Sequence, residues 1–327
     1  SYMVFDHKKD KVYILEEALY SDRSEADLAA RLERIMAELA QPAADEFSPL
    51  ELSSLNFQSH IEQASFEKMV EEARSLIRQG DMFQCVLSQR FSAEYSGKPL
   101  DYYRNLRVTN PSNYLYFYDF GDYQIIGASP ESLVSVKQGQ VTTNPIAGTR
   151  PRGKDEREDK ALAEELLADE KEVAEHRMLV DLGRNDIGKI AQNNSVEVTK
   201  YMEVEYFRYV MHLTSVVRGQ LLPQLTAMDA LKSTLPAGTV SGAPKIRAMK
   251  RIYELEQEKR GVYAGAIGYL SATGDMDFAI TIRTMVLKNG RAYVQAGAGI
   301  VYDSIPTNEY QETINKAKSM TKIGEVQ

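Results

Sequence analysis

The chain has 327 residues, of which 43% are hydrophobic and 26% are charged, as in an ordinary folded protein with a sizeable core. Its net charge of −8, with acidic and basic residues interspersed, argues against a nucleic-acid-binding protein. The single cysteine, Cys85, excludes an internal disulfide and favours a cytoplasmic location, and no apolar run reaches the length of a membrane span.

The N-terminal part of the chain contains strand-like and helix-like patterns. Residues 1–20 predict a strand pair with a turn at residues 8–10, and residues 24–39 repeat apolar side chains at helical spacing. Residues 41–53 are polar and contain proline, which is typical of a linker. Because the chain begins at Ser1 within a strand-like run, we expect it to be a fragment of a longer protein.

The remaining residues alternate between helical and strand patterns. Residues 65–79 predict a helix that Ser65 caps and Gly80 ends. The pattern then predicts strands at residues 85–94, 114–118, 123–128, 133–137 and 140–143, a helical stretch at 155–181, and strands at 262–270, 278–287 and 291–295. Asn289-Gly290 is a strong hairpin signal before the last of these strands. Large antiparallel sheets with helices outside them predict an α+β fold.

Two pairs of glutamates are candidate metal ligands. Glu172 and Glu175 share one face of a predicted helix, and Glu309 and Glu312 share one face of the last helix. If these faces meet, they offer four oxygen ligands to a hard cation such as Mg²⁺. The alternative is solvated helix surface, in which Glu312 forms an i,i+4 ion pair with Lys316.

Two segments are candidates for binding an anionic substrate. Residues 144–149 follow a strand, and in them Gly148 permits an unusual backbone angle while Thr149 offers a hydroxyl and an amide. A simple turn is the alternative. Residues 235–245 are rich in glycine and open a helix, where free amide groups attract anions. Helix capping explains that second pattern equally well.

Three single residues are further candidates. Arg283 lies in a predicted strand among apolar residues, so it needs a partner, either a substrate carboxylate or a structural salt bridge. His212 lies in another predicted strand, where its role is either that of an acid/base group or that of a hydrogen-bonded core residue. Glu131 follows a proline at a tight turn, where its side chain is either a catalytic acid or an ordinary solvated loop residue.

Several segments together resemble the chorismate-utilising enzymes. The segments that occur in the order of that family are PIAGTRPRG, DEKEVAEHRMLVDLGRND, VMHLTS, LPAGTVSGAPKIRAM, VYAGAIGYL, IRT, GAGIVYDS and NEYQETINKA. The resemblance covers residues 55–325 and implies an α/β sandwich of antiparallel sheets wrapped by helices. It implies a chorismate-binding catalytic domain at residues 51–327, and a remnant of an N-terminal region with a linker at residues 1–50.

The resemblance also implies roles for individual residues. It assigns the acid that protonates the departing C4 hydroxyl to Glu131, and pyruvate elimination to His212. The implied ligands of Mg²⁺ are Glu175, Glu309 and Glu312, with Glu172 beside them. The implied substrate-binding residues are Thr149, Tyr263, Arg283, Gly297, Gly299 and Lys316.

Two positions bear on the nucleophile. Water-using isochorismate and salicylate synthases have a lysine base where this chain has Gln84, and glutamine cannot deprotonate water, so ammonia is favoured. Many aminodeoxychorismate synthases have a lysine where this chain has Ala147. Both residues favour the members that make anthranilate. Aminodeoxychorismate or aminodeoxyisochorismate synthesis, or an inactive binding fragment, are the alternatives. Cys85 lacks the setting of a glutaminase nucleophile, so the implied partner is a separate glutamine amidotransferase subunit.

Overall fold

The computed structural model describes two compact units, Ser1–Ser48 and Pro49–Gln327, through residues 2–18, 22, 24–41, 55–207, 210–256 and 258–322. The first unit contains the antiparallel strands β1 (Tyr2–Asp6) and β2 (Lys11–Leu15) and the helix α1 (Glu25–Leu39). Ser24 caps α1, because its hydroxyl accepts a hydrogen bond from the N–H of Asp27 at 3.3 Å. The predicted strand pair and helix are confirmed. The predicted linker at residues 41–53 lies, apart from Gln41, outside the described residues.

Antiparallel strands form most of the second unit. They are β3 (Gln58–Ser59), β4 (Gln84–Glu94), β5 (Tyr114–Asp119), β6 (Tyr123–Ser129), β7 (Ser132–Lys137), β8 (Gln140–Thr143), β9 (Ile146–Pro151), β10 (Glu197–Tyr206), β11 (Val210–Gln220), β12 (Gly242–Ala243), β13 (Ala266–Leu270), β14 (Met276–Ile280), β15 (Thr284–Lys288) and β16 (Arg291–Ile300). Among the described residues they make two seven-stranded sheets. Sheet I has the order β10-β11-β8-β7-β14-β13, with β9 paired to β11. Sheet II has the order β12-β4-β16-β15-β6-β5, with β3 paired to β4.

Helices cover the two sheets. They are α2 (Gln63–Arg78), α3 (Pro99–Thr109), α4 (Glu156–Ala168), α5 (Glu170–Gly188), α6 (Ala227–Thr234), α7 (Lys245–Leu255) and α8 (Pro306–Thr321). Helices α5 and α6 pack on sheet I, and α2, α3, α7 and α8 pack on sheet II. The core of sheet I includes Val180, Val217 and Ile280, whereas that of sheet II includes Leu106 and Met285. Each sheet therefore buries its own apolar layer beneath helices, which confirms the α+β prediction.

Two of the points at which the chain passes between the sheets lie next to each other. The turn at Pro130 and Glu131 carries the chain from β6 in sheet II to β7 in sheet I, and residues 281–283 carry it from β14 back to β15. The N–H of Ile280 donates to the carbonyl of Glu131 at 3.0 Å, and the N–H of Ala128 donates to the carbonyl of Arg283 at 3.0 Å. These hydrogen bonds fasten the two crossovers side by side.

This arrangement corrects the prediction of one strand at residues 278–287. The segment is two strands in different sheets, and Arg283 lies between them with a φ of 50° rather than within a strand. An apolar, β-branched run is equally compatible with one long strand and with two short ones, so the pattern alone misses the crossover. A non-glycine residue in this left-handed region is uncommon and marks a constrained position.

Other boundaries also differ from the predictions. Residues 144–149 are not a loop, because β9 begins at Ile146 and pairs with β11. The helical stretch 155–181 is two helices, because the carboxylate of Asp169 accepts hydrogen bonds from two N–H groups of α5 and caps it. Helix α2 begins at Gln63, so Ser65 is not its cap, whereas Gly80 ends it with a φ of 78°. Helix α3 was not predicted.

Candidate functional site

The candidate acid lies at the first crossover, next to a threonine from the glycine-rich segment. The hydroxyl of Thr239 donates a hydrogen bond to Oε1 of Glu131 at 2.9 Å. Burial raises the pKa of Glu131 to about 7, while the Thr239 hydrogen bond and the positive charge of Lys316 act in the opposite direction. A carboxyl group with this pKa still carries a proton near neutral pH, so it is suited to general acid catalysis.

Arg283, at the second crossover, makes no ion pair with any described residue. Its Nη1 donates to the carbonyl of Lys316 at 2.9 Å and to Oγ of Ser319 at 2.7 Å. Burial lowers the pKa of Arg283, and the nearby Tyr263 counteracts this shift. The structural salt bridge considered above is thus not found within the described part of the chain. A buried guanidinium without a carboxylate partner is well suited to an anionic ligand.

Tyr263 and Lys316 both lie against the same glycine of β16, Gly297. Nζ of Lys316 donates to the carbonyl of Gly297 at 3.0 Å. A Cβ atom on Gly297 would lie 2.6 Å from the Tyr263 hydroxyl and 2.9 Å from the carbonyl oxygen of Leu87, so only glycine allows this close approach. Burial raises the pKa of Tyr263 to about 12, and Glu131 and Arg283 also influence it. The acid, the arginine, the tyrosine and the lysine therefore border one region.

His212 faces the irregular end of β9. Its Nδ1 lies 2.9 Å from the carbonyl oxygen of Gly148 and 3.1 Å from Oγ1 of Thr149. A carbonyl oxygen only accepts, so Nδ1 carries the hydrogen, and Nε2 is the ring nitrogen that is left to exchange a proton with a ligand. The register of β9 against β11 shifts next to His212, at Gly148, whose φ is 66°. This bulge directs the Gly148 carbonyl at the imidazole.

The first glutamate pair projects from α5 toward residues of both sheets. Oε2 of Glu172 lies 3.3 Å from the point where a Gly148 side chain would begin, and Oε1 lies 3.7 Å from Nη1 of Arg150. Oε1 of Glu175 accepts a hydrogen bond from Nε2 of Gln84 at 3.4 Å. Burial and the charge of Glu175 raise the pKa of Glu172. Gln84 thereby connects sheet II to this pair.

The second glutamate pair lies in the first turns of α8. Burial and the charge of Glu312 raise the pKa of Glu309, and the positive charges of Lys171 and Lys316 partly offset this. Lys171 belongs to the first turn of α5, so the charges of the two helices that carry the glutamate pairs influence each other. Glu312 forms the ion pair with Lys316 that was considered above, at 2.6 Å.

The glutamates fit a hard cation chemically, although they do not converge. Within the described residues, no three histidine, cysteine, aspartate or glutamate side chains are close enough to hold a metal ion together. The donors are nevertheless carboxylate oxygens, which Mg²⁺ prefers. Two of them, Glu172 and Glu309, have a pKa raised by burial and by a neighbouring carboxylate. A nearby cation relieves both effects, so the residues suit the ion.

Gln84 and Cys85 start β4, the strand next to β16. Gln84 is buried, its Oε1 has no hydrogen-bond partner among the described residues, and its Nε2 would lie 2.8 Å from a Cβ atom on Gly299. Cys85 is buried, and its burial together with the charge of Glu256 raises its pKa to about 12. A thiol with such a pKa is not an activated nucleophile.

The sequence did not identify several residues that support the site. Thr239 lay within the glycine-rich segment but was not singled out, and Ser319 carried no signal in a helical pattern. Arg260 lies over the ring of Tyr263, 5.4 Å from its centroid, and Nη2 donates to the carbonyl of Val86 at 2.6 Å. Arg260 also pairs with the largely buried Glu256 at 2.6 Å. The stretch around them is so highly charged that its pattern is typical of solvated surface.

Three comparisons identify relatives of the chain. Residues 1–322 match the family described as chorismate binding enzyme. The anthranilate synthase component 1 of Lactococcus lactis is 58% identical over 99% of this chain and 71% of its own length. The crystal structure of anthranilate synthase component I from Streptococcus pneumoniae is 76% identical, with a TM-score of 0.92 over 98% of this chain and 71% of that one.

More distant relatives have the same fold. The menaquinone-specific isochorismate synthase of Escherichia coli is 25% identical, with a TM-score of 0.78 over 90% of this chain and 68% of its own. The chain spans only 55% of the component 1 of Aquifex aeolicus, to which it is 54% identical over 83% of its own length. No helix in the described ranges has both the length and the apolar composition needed to cross a membrane.

Proposed function

Because the chain belongs to the chorismate-binding enzyme family, we propose that it is the aminating component of an anthranilate synthase in tryptophan biosynthesis. In this reaction chorismate and ammonia give anthranilate, pyruvate and water. The proposal is supported by the names of its relatives, several of which are component 1 proteins at 46–58% identity. The observation that carries it is the position of Glu131 and Arg283 on two crossover segments that lie next to each other. There a protonated acid lies near a guanidinium that lacks a carboxylate partner.

We place the substrate carboxylates against the cationic side of the site. Arg283 and Lys316 would bind one carboxylate, and the hydroxyl of Tyr263 would donate a hydrogen bond to it, because its raised pKa keeps it protonated. Backbone amide groups at Thr149, Gly297 and Gly299 would add further donors. Binding in this way fixes the ring and withdraws electron density from it.

The metal-binding role is assigned to the two glutamate pairs. Glu172, Glu175, Glu309 and Glu312 would hold Mg²⁺, which when bound neutralises a substrate carboxylate and polarises the ring. The ion pair between Glu312 and Lys316 would then open, freeing the lysine for the substrate and the glutamate for the cation. This rearrangement is consistent with helix α8 carrying both a candidate metal ligand and a candidate substrate ligand on one face.

Proton transfers are assigned to Glu131 and His212. Glu131 would protonate the C4 hydroxyl as it departs, because hydroxide is a poor leaving group, while ammonia attacks C2. Nε2 of His212 would then accept the proton that leaves the ring as pyruvate is eliminated. The hydrogen bond from Nδ1 to Gly148 orients the imidazole for this step.

The nucleophile is assigned to ammonia from a partner. Gln84 cannot act as a base toward water, and its buried amide donates a hydrogen bond to Glu175. The component 1 names imply a second component, and we propose that it is a glutamine amidotransferase. The raised pKa of Cys85 fits this division, since this chain offers no glutaminase nucleophile. We propose residues 51–327 as the catalytic domain and residues 1–50 as a remnant of an N-terminal region.

One incubation tests the proposal. The chain is mixed with chorismate, an ammonium salt and Mg²⁺, and the products are separated and identified by mass. Anthranilate and pyruvate in equal amounts are expected. Aminodeoxychorismate without pyruvate, isochorismate, or the absence of any product would each contradict the assignment. A parallel incubation of Glu131→Gln is the control, because general acid catalysis contributes about 10²–10⁴-fold in rate.

A further inference from the structure

Tyr263 lies in the segment that joins helix α7 to strand β13, between Leu255 and Ala266. Its main-chain N–H donates to the carbonyl of Arg260 at 3.2 Å, so the backbone forms a turn at this point. Side chains in connecting segments are held less firmly than those on helices and strands. A hydroxyl that binds a substrate group nevertheless needs a fixed position, because a misplacement of about 1 Å can cost about 10²-fold in rate. The tyrosine therefore needs support from outside its own segment.

Arg260 lies against the ring of Tyr263, and protein acceptors surround its guanidinium. The guanidinium carbon is 5.4 Å from the ring centroid, a distance at which a cation is attracted to the aromatic face. Nε and Nη2 donate to the two carboxylate oxygens of Glu256 at 2.8 and 2.6 Å. Nη1 donates to the carbonyl of Val240 at 2.7 Å, and Nη2 also donates to that of Val86 at 2.6 Å. These four hydrogen bonds direct the donors of Arg260 to the protein rather than to a substrate.

Glu256 connects the guanidinium to the strand beside Gly297. Only 7% of its side chain is exposed, and its Oε1 accepts hydrogen bonds from the N–H and the hydroxyl of Ser88 at 2.7 and 2.9 Å. Ser88 of β4 pairs with Gly297 of β16, the glycine against which the Tyr263 hydroxyl lies. Arg260 at the ring and Gly297 at the hydroxyl thus hold Tyr263 at two points. Both points are fastened to the same pair of strands.

The same guanidinium contacts the turn that supports the candidate acid. Val240, whose carbonyl accepts from Arg260, ends a 3-10 turn that begins at Gly238. The middle residue of this turn is Thr239, whose hydroxyl donates to Glu131 at 2.9 Å. The donors of a planar guanidinium have fixed directions, so a change in its position displaces the tyrosine ring and this turn together.

Stability alone does not account for this arrangement. A buried ion pair gains little net free energy, because the attraction between the charges is offset by the cost of removing them from water. What the pair of Arg260 and Glu256 adds is direction, since two carboxylate oxygens meet two donors of the guanidinium in one geometry.

We propose that Arg260 is a positioning residue of the candidate site, which holds Tyr263 and the turn of Thr239 in the geometry that the reaction requires. This inference rests on the proposed function, which places Tyr263 at the substrate and Glu131 at the departing hydroxyl. Because its own donors are directed to protein acceptors, Arg260 acts through these residues and not on the substrate.

The test uses Arg260→Lys in the full chain, with Arg251→Lys as the matched control. Lysine keeps the positive charge but replaces the planar group by one ammonium, which cannot reach the four acceptors together. Arg251 belongs to α7 and donates to Asp81 at 2.7 Å and to Glu254 at 2.5 Å, neither of which is a candidate site residue. Both variants are also made in a Tyr263→Phe background. The KM and kcat for chorismate with an ammonium salt, the pH dependence of kcat/KM and the melting temperature are measured for each protein.

We expect Arg260→Lys to raise the KM for chorismate by about tenfold, because the Tyr263 hydroxyl loses its fixed position. In the Tyr263→Phe background the same change should alter the KM by less than about twofold, because the hydroxyl that it displaces is already absent. Arg251→Lys should equal its parent protein in KM in both backgrounds.

The pH dependence distinguishes positioning from a structural role. As Thr239 moves away from Glu131, the carboxylate loses a donor, so the alkaline limb of kcat/KM should move to higher pH in Arg260→Lys. The charge of Lys316 also acts on Glu131, but this lysine belongs to α8 and is present in every variant. A merely structural role would lower the melting temperature and leave the KM and the alkaline limb unchanged.

Three results overturn the proposal. They are an unchanged KM for Arg260→Lys, the same fold-change in KM with and without the Tyr263 hydroxyl, and equal effects of the Arg260 and Arg251 variants. If Arg260→Lys does not fold, Glu256→Gln takes its place, since it keeps the shape of the side chain and removes one acceptor of Arg260. Its KM should rise in the same direction by a smaller factor, and an unchanged KM would again overturn the proposal.

Crystal structures separate this inference from the proposed function. The Tyr263 hydroxyl should move away from Gly297 in Arg260→Lys, or in Glu256→Gln, and should stay in place in Arg251→Lys. An unmoved hydroxyl would overturn the positioning role. If the wild type fails to use chorismate with an ammonium salt, the proposed function fails, while the crystal structures still decide whether Arg260 positions Tyr263.

Discussion

The proton on Glu131 offers the sharpest test of the site, and Thr239→Val is the perturbation. Valine has nearly the shape of threonine but lacks the hydroxyl that donates to Glu131 Oε1 at 2.9 Å. That hydrogen bond stabilises the carboxylate and so holds the pKa down to about 7 against the effect of burial. Its removal therefore raises the pKa further.

The size of this shift follows from the strength of the hydrogen bond. Bonds to charged groups contribute about 1.5–3 kcal/mol, and part of this is replaced by water in a half-buried site. Since about 1.4 kcal/mol corresponds to one pKa unit, we expect the pKa of Glu131 to rise by about one unit. A catalytic acid is active when protonated, so activity is lost as pH rises through its pKa. Thr239→Val should move this alkaline limb to higher pH.

The assay compares kcat/KM for chorismate in the two proteins from about pH 6 to about pH 9, with an ammonium salt as nitrogen source. The ionisation of ammonia affects both proteins equally. The ratio of kcat/KM in the variant to kcat/KM in the wild type therefore reports only the ionisation of Glu131. This ratio should rise with pH above neutrality. Thr239→Ser keeps the hydroxyl and is the matched control. An alkaline limb at the same pH in wild type and Thr239→Val, or an equal shift in Thr239→Ser, would refute the reasoning.

Three further predictions concern other parts of the site. His212→Met should still aminate C2 but stall before pyruvate leaves, so aminodeoxyisochorismate should accumulate in chromatography with mass detection; anthranilate at the wild-type rate would contradict the assigned role. Glu309→Gln should raise the Mg²⁺ concentration needed for half-maximal turnover in a titration after EDTA treatment, since it removes a charged ligand. Turnover that persists in EDTA would contradict the assignment of a metal site. Gly297→Ala should raise the KM for chorismate by about tenfold, because the new Cβ would lie 2.6 Å from the Tyr263 hydroxyl and push that side chain away. If both the KM and the melting temperature are unchanged, Tyr263 does not bind the substrate.

Local signals predicted the elements whose structure is determined locally. Asn289 and Gly290 have φ angles of 51° and 70°, as a two-residue hairpin requires, and strands β15 and β16 pair across them. The ion pair of Glu312 with Lys316 was equally foreseeable, because one helical turn brings the two side chains together. Helix α3 escaped prediction because its aromatic and β-branched residues obscure the helical pattern.

Features that depend on distant parts of the chain were not visible in the sequence. Thr239 and Glu131 are 108 positions apart, and no local pattern indicates that they share a hydrogen bond. Arg283 was predicted within a strand because periodicity describes side-chain alternation but not the sheet to which a strand belongs. The candidate site residues themselves were gathered by resemblance to a family, and their roles remain predictions that the variants above address.

The paired crossovers also determine how the acid and the guanidinium are kept apart and yet close. Main-chain hydrogen bonds from Ile280 to Glu131 and from Ala128 to Arg283 fasten the two segments to each other. Each of these segments receives a strand from both sheets. The spacing of Glu131 and Arg283 is thus set by the backbone, without any direct contact between the two side chains.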